Sequence, residues 1–195
     1  DFDPVERFET VMASFGAYAS GHAMSDGSRG LLDALMAHGT IELHGFEVSA
    51  SDGSSAFATA GRRSGTWWID TSELNRPAQS SKPSAPLSDS RGIGELIASA
   101  SQRHSGPLAV GLTNANAVDG GLGALMALGL TASDSMGRTM HVSDGANDLQ
   151  NVRAIHGSVA QTIGLFRILA NVQAPLETAA HFLETEFGAS QAEVE

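Results

Sequence analysis

Apolar residues recur along this chain at two different periods, and the alternation between them sets out its elements. Val5, Phe8, Met12 and Phe15 fall three or four residues apart behind Pro4, which suits a first helical turn, so the spacing predicts a helix burying one stripe. A turn over Ser25-Asp26-Gly27-Ser28-Arg29-Gly30 leads into a second helical pattern through Leu31, Leu32, Leu35 and Met36. Ile41, Leu43 and Val48 alternate in part with polar neighbours and predict a strand. Phe57–Thr59 and Thr66–Asp70 predict two more strands, joined as a hairpin through Gly61-Arg62-Arg63-Ser64-Gly65. In a regular strand Trp67 and Trp68 point to opposite faces, one to the core and the other to a groove.

The second half repeats the alternation. Ile93, Leu96, Ile97 and Ala100 mark an amphipathic helix, and Pro107–Leu112 is a short apolar run fit for a buried strand. Asp119-Gly120-Gly121 then opens a helix through Leu122, Leu125, Met126 and Leu128 that stops at Gly129. Ile163–Val172 is another apolar stretch and reads equally as strand or helix. Pro175 and Gly188 bracket a last helix over Pro175–Phe187. Interleaved helices and strands predict one α/β domain over residues 1–195, with a mixed sheet flanked by helices. A flexible Pro/Ser loop is expected at 76–89.

Composition narrows the function classes. The 195 residues are 42% hydrophobic, enough for a core, and no apolar run reaches the ~20 residues of a membrane helix. Eleven basic against 22 acidic residues give a net charge of −11, which repels nucleic acid and anionic membranes. Cysteine is absent, so no disulfide, thiolate nucleophile or cysteine-zinc site can form. The first residues carry neither a basic nor an apolar leader pattern, so a cytoplasmic location is expected. The chain opens on Asp1 and not on Met, which suggests processing or trimming ahead of it. Its one lysine, Lys82, lies in the Pro/Ser loop, so no Walker-type phosphate site is present.

Two glycine-flanked aspartates, Asp26 and Asp119, carry the candidate chemistry. Each opens a predicted helix, where free N–H groups and the helix dipole favour an anion. Such an aspartate either caps its helix or serves in a cleft as a general base or magnesium ligand, and the spacing leaves both roles open. The seven histidines show no i, i+4 pair, which argues against zinc. His22, four residues before Asp26, is a turn residue unless it faces the same cleft.

At these turns the chain resembles the bacterial-type glycerate kinases. Ser25-Asp26-Gly27-Ser28-Arg29-Gly30-Leu31 is similar to the family's Ala-Asp-Gly-Gly-Glu-Gly-Thr, and Asp89-Ser90-Arg91-Gly92-Ile93-Gly94-Glu95-Leu96 to its Thr-Ser-Tyr-Gly-Thr-Gly-Glu-Leu. The run Gly111-Leu112-Thr113-Asn114-Ala115-Asn116-Ala117-Val118-Asp119-Gly120-Gly121-Leu122-Gly123 matches Gly-Ile-Gly-Gly-Ser-Ala-Thr-Asn-Asp-Gly-Gly-Ala-Gly in length and ends. Ala170-Asn171-Val172-Gln173-Ala174-Pro175-Leu176 resembles Asp-Val-Asn-Asn-Pro-Leu. The ordered matches run from about Ala23 to Glu195 and imply a glycerate-kinase-like α/β domain, mainly the family's smaller domain.

The resemblance implies transfer of the ATP γ-phosphoryl group to D-glycerate with magnesium, for which Asp119 and Asp26 would be the catalytic residues and Asp119 the magnesium ligand. The departures point elsewhere. Arg29 replaces a glutamate, Ala115, Ala117 and Val118 replace Ser, Thr and Asn, and the family's lysine-bearing Asp-Ser-Phe-Lys-Gly has no counterpart before Ala23. Lost donors of this kind cost orders of magnitude in rate. The expectation is therefore a degenerate domain acting as a binding, assembly or regulatory module that needs no cofactor. Arg29, Arg91, Asn114 and Asn116 would hold a small carboxylate, the arginines as bidentate partners or as mere surface ion pairs. A homo-oligomer or a protein partner is expected, and the alternative is an active glycerate kinase using ATP and magnesium.

Overall fold

The computed structural model describes residues 13–14, 21–27, 29–74, 88–112, 117–141, 149–159 and 163–170. Ala13 and Ser14 are helical; the rest of the first predicted helix and all of Pro175–Phe187 lie outside the described residues. Within the Pro/Ser segment, 76–87 also lie outside, whereas Ser88 and Asp89 are buried.

The elements follow in the order α1 (Leu31–Ala37), β1 (Glu42–Ser49), β2 (Ser55–Arg63), β3 (Thr66–Asp70), α2 (Arg91–Arg103), β4 (Gly106–Leu112), α3 (Leu122–Ala127), β5 (Thr131–Ser133), β6 (Ala154–His156) and β7 (Ile163–Ala170). Five strands form one mixed sheet in the order β1-β2-β3-β4-β7. The first three run antiparallel as a meander, and β3, β4 and β7 are parallel. Parallel neighbours need a long crossover, and α2 supplies the one between β3 and β4. β5 and β6 pair apart as a small antiparallel ribbon.

The hairpin between β2 and β3 is tighter than its glycine bracket implies. Only Ser64 and Gly65 turn, both with positive φ, while Arg62 and Arg63 pair with Trp67 and Thr66. Two consecutive left-handed residues match the twist of the flanking strands, which is why the ladder continues up to them. Ile163–Ala170 settles as a strand because β4 offers it a parallel edge.

One face of the sheet carries the main core. Phe46, Ala58, Ile69, Leu108 and Val110 project towards Ile93, Leu96, Ile97 and Ala100 of α2, around a fully buried Trp67. The indole N–H of Trp67 donates to the His104 carbonyl at 2.8 Å, so the largest core side chain buries no unpaired donor. Trp68, on the opposite face, is half-buried. There α1 packs, with Leu31 beside Gly111 and Leu32 beside Gly61. Helices α2 and α3 touch where a β-carbon at Gly94 would run into the Ala124 backbone, so glycine sets their separation. No helix among the described residues is long and apolar enough to cross a membrane.

This packing makes a direct test. Leu96→Ala is expected to cost about 3 kcal/mol in urea unfolding, because the surrounding residues cannot collapse into the space. The exposed Met136→Ala should change it by less than about 0.5 kcal/mol.

Candidate functional site

Asp119 is fully buried, and its carboxylate is shared by two helix starts. Oδ2 accepts the Ser90 N–H at 2.9 Å, the Ser90 hydroxyl at 2.8 Å and the Gly123 N–H at 2.8 Å. Oδ1 accepts the Gly121 N–H at 3.0 Å. Ser90 is the N-cap of α2, and its Oγ also accepts the Ala124 N–H of α3 at 3.0 Å. One side-chain anion therefore satisfies donors at the first turns of both α2 and α3, which otherwise have no intrahelical acceptor. Gly121 sits in the left-handed region at φ 82°, which lets the chain double back so that Asp119 reaches the turn that follows it.

The Asp26 turn lies over the C-terminal ends of the parallel strands. A β-carbon at Gly27 would stand 2.6 Å from Leu169 Cβ of β7, and one at Gly111 of β4 would meet the Gly27 carbonyl. The Gly30 N–H donates to Asp70 Oδ2 at 3.2 Å, tying the turn to the end of β3, while Asp70 Oδ1 accepts the Ser72 N–H at 2.9 Å. Asp26 and Arg29 are both exposed. Gly30, not Asp26, is the N-cap of α1. His22 is exposed and stacks on His38 with ring centroids 6.1 Å apart.

Arg91 stands at the first turn of α2, beside Asp119. A β-carbon at Gly123 would lie 2.8 Å from both the Arg91 nitrogen and Asp119 Oδ2, so α2 and α3 meet at this point. Asp89, two residues earlier, is buried; its Oδ1 accepts the Arg91 N–H at 2.9 Å and its Oδ2 lies 4.0 Å from Arg91 Nε. Burial pushes the Asp89 carboxyl above the ordinary carboxylate range. The Arg91 N–H and guanidinium oppose that rise, and the charges of Asp119 and Glu95 add to it. The fold thus brings Arg91 to Asp119 and carries Asp26 and Arg29 to the strand ends; Asn114 and Asn116 lie outside the described residues.

Three participants escaped the sequence reading. Asp70 ends a strand with no glycine beside it to draw attention. Asp89 looks like one more acid in a polar loop. Ser90 carried a usable signal, a serine directly before an amphipathic helix.

The buried acids are already hydrogen-bonded. Both oxygens of Asp119 and of Asp70 already accept N–H or O–H groups. Among the described residues, no three His, Asp or Glu converge to hold a metal ion.

Two substitutions test the junction. Asp119→Ala strips the acceptor from four donors at once and is expected to cost about 3–5 kcal/mol of unfolding free energy in a urea titration. Asp89→Asn keeps an oxygen for the Arg91 N–H while removing a buried charge. Between the ordinary carboxylate value and the raised folded one, the folded chain holds more protons than the unfolded, so this group weakens the fold as pH rises. The Asn variant should therefore melt higher than wild type at neutral pH, with the gain shrinking as pH falls and vanishing only well below the ordinary carboxylate value of 3.8, where the carboxyl is protonated in both states.

Comparison with known proteins gives the fold a family. The profile of the glycerate kinase family matches residues 6–195, starting ahead of Ala23. No curated protein matches the chain. Among solved structures, the protein described as glycerate kinase 2 from Salmonella typhimurium LT2 superposes with a TM-score of 0.75 at 22% identity, covering 88% of this chain and 48% of that one. The chain thus spans about half the length of the structure it matches. With the matched profile running over nearly its whole length, this chain belongs to the glycerate kinase family.

Proposed function

We propose that this polypeptide is a binding and assembly module built on the glycerate-kinase fold, which holds a small carboxylate and does not transfer phosphoryl groups by itself. One observation carries the reading: Asp119, the acid of the family's most distinctive run, has both oxygens committed to the α2–α3 junction. Three donors saturate its Oδ2, so a magnesium ion or a proton would have to reach the remaining lone pair of a fully buried Oδ1 or displace bonds that hold two helices together. Phosphoryl transfer also needs positive charge around the moving group, and here Asp89 and Asp119 stand against Arg91. Ala115, Ala117 and Val118 add no side-chain donor, and the Val118 N–H is taken by the Ser88 carbonyl at 3.2 Å.

The assembly side of the reading draws on β7. Strands paired in parallel are normally covered on both faces. Yet Leu165, Phe166 and Ile168 of this last strand in the sheet order are 63%, 39% and 57% exposed, an apolar surface suited to a partner or a second copy.

A second reading, an active kinase passing the ATP γ-phosphoryl to D-glycerate with magnesium, is favoured by the Asp26 turn. It lies over the C-terminal ends of β3, β4 and β7, where open α/β sheets commonly receive ligands. In that reading Asp26 would activate the glycerate hydroxyl.

ADP release from ATP, magnesium and D-glycerate separates the two. The polypeptide alone is expected to match the protein-free blank. Turnover that disappears in Asp26→Asn would replace the module reading with the kinase reading.

A further inference from the structure

We infer that the end of the sheet at the β2–β3 hairpin is a binding site for a single phosphate-type oxyanion, held by the Arg62 guanidinium with the Thr40 and Ser64 hydroxyls. The hairpin stands at the start of β3, whereas the Asp26 turn is tied to Asp70 at the end of that strand. Roughly 13 Å of strand separates the two, so this site is independent of whether the chain transfers phosphoryl groups.

A buried donor with nothing to bind carries the inference. Arg62 Nε is buried and has no hydrogen-bond partner among the described residues. Leaving such a donor dry and unpaired is costly, and native proteins normally bring an acceptor to it. The position directly opposite Arg62 on β1 belongs to Glu42, its natural counter-ion. Glu42 turns to His44 instead, with Oε2 3.8 Å from Nε2. His44 Nδ1 lies 3.2 Å from Arg103 Nη1, and an arginine can only donate, so the ring proton sits on Nε2, towards Glu42. That leaves Arg62 without an ion-pair partner among the described residues.

A cavity of about 250 Å³ opens here, lined by Thr40, Glu42, Arg62, Arg63, Ser64 and Gly65. It is smaller than the usual site for a drug-sized ligand, with room for one oxyanion and a short substituent but not for a nucleotide. Arg63 forms a fixed wall, because its Nη1 and Nη2 donate to the Leu35 and His38 carbonyls at 3.2 and 3.0 Å. Its charge nevertheless adds to that of Arg62. Ser64 and Gly65 take the two left-handed positions of the turn, and the ladder closes at Arg63 and Thr66, so their N–H groups stand outside it. Guanidinium groups, hydroxyls and turn N–H groups are all donors, which suits a ligand made of charged acceptors. A phosphate monoester brings about 1.5 to 2 negative charges to the two arginines, where a carboxylate brings one. Glu42 is the one acid in the lining, and with its side chain 67% exposed it can swing out to solvent as the anion enters.

The probes are inorganic phosphate and glycerol 3-phosphate, which separate the free ion from a monoester. Each is titrated into the whole polypeptide at constant ionic strength and followed by thermal melting and amide chemical shifts. At least one is expected to raise the melting midpoint and to shift the amides of Arg62, Ser64 and Gly65, with acetate binding at least tenfold more weakly. Arg62→Met should abolish the rise yet melt no lower than wild type in phosphate-free buffer, since it removes a buried donor that has no partner. Glu42→Gln should tighten binding severalfold by removing the lining acid. An undiminished rise in Arg62→Met, or unchanged affinity in Glu42→Gln, overturns the inference. Shifts confined to the Asp26–Gly30 turn overturn it too, as does a rise that sodium chloride reproduces at equal ionic strength. ADP release tests the functional reading separately, so failure of one leaves the other standing.

Discussion

A single buried carboxylate governs how this molecule is put together. Helix starts present N–H groups that their own helix cannot satisfy, and burying two such starts side by side would leave several donors without partners. Asp119 resolves this by placing its charge between them, with the Ser90 hydroxyl relaying one bond onward to Ala124. Because α2 supplies the apolar face covering the sheet, fixing its first turn fixes the register of the core. The small ribbon of β5 and β6 follows α3, and Leu122 and Ala132 form a second, smaller cluster there.

The same junction explains where charge is tolerated. Asp89 is buried at a cost, visible in its raised carboxyl, and the cost is limited by the Arg91 backbone N–H. Asp70 is buried too, yet both its oxygens are engaged, so it ties the Asp26 turn to the end of β3. Acids in this protein act first as connectors between segments far apart in sequence. That use suits a chain with a net charge of −11, in which backbone N–H groups do much of the neutralising that scarce lysine and arginine cannot.

The two ends of the sheet differ in how completely they are covered. At β3 and β4 a helix lies on each face, whereas β7 leaves three large apolar side chains open. The matched structure is about twice as long as this chain, and the superposition covers 88% of this chain.

Read from one end to the other, the sequence by itself determined the local elements. Helical spacing at Leu31–Met36, Ile93–Ala100 and Leu122–Leu128 and the strand runs at Thr66–Asp70 and Pro107–Leu112 all appear with ends no more than three residues off, because period and turn chemistry are local properties. The ordered motif matches also carried the family, since motif order survives where individual side chains change. Tertiary structure alone decided the rest. Whether Ile163–Ala170 is strand or helix depended on a parallel edge whose residues, such as Gly106 opposite Ile163, lie far back in the sequence, and three-residue strands such as β5 and β6 leave no periodic trace. A glycine-flanked aspartate looks the same whether it faces a ligand or a helix start; the Ser90, Gly121 and Gly123 donors around Asp119, two of them on a distant segment or the next helix, are assembled only by folding. Hydrogen-bond partners separated by tens of residues have no spacing to read, so what an acid does is settled by what the fold brings to it.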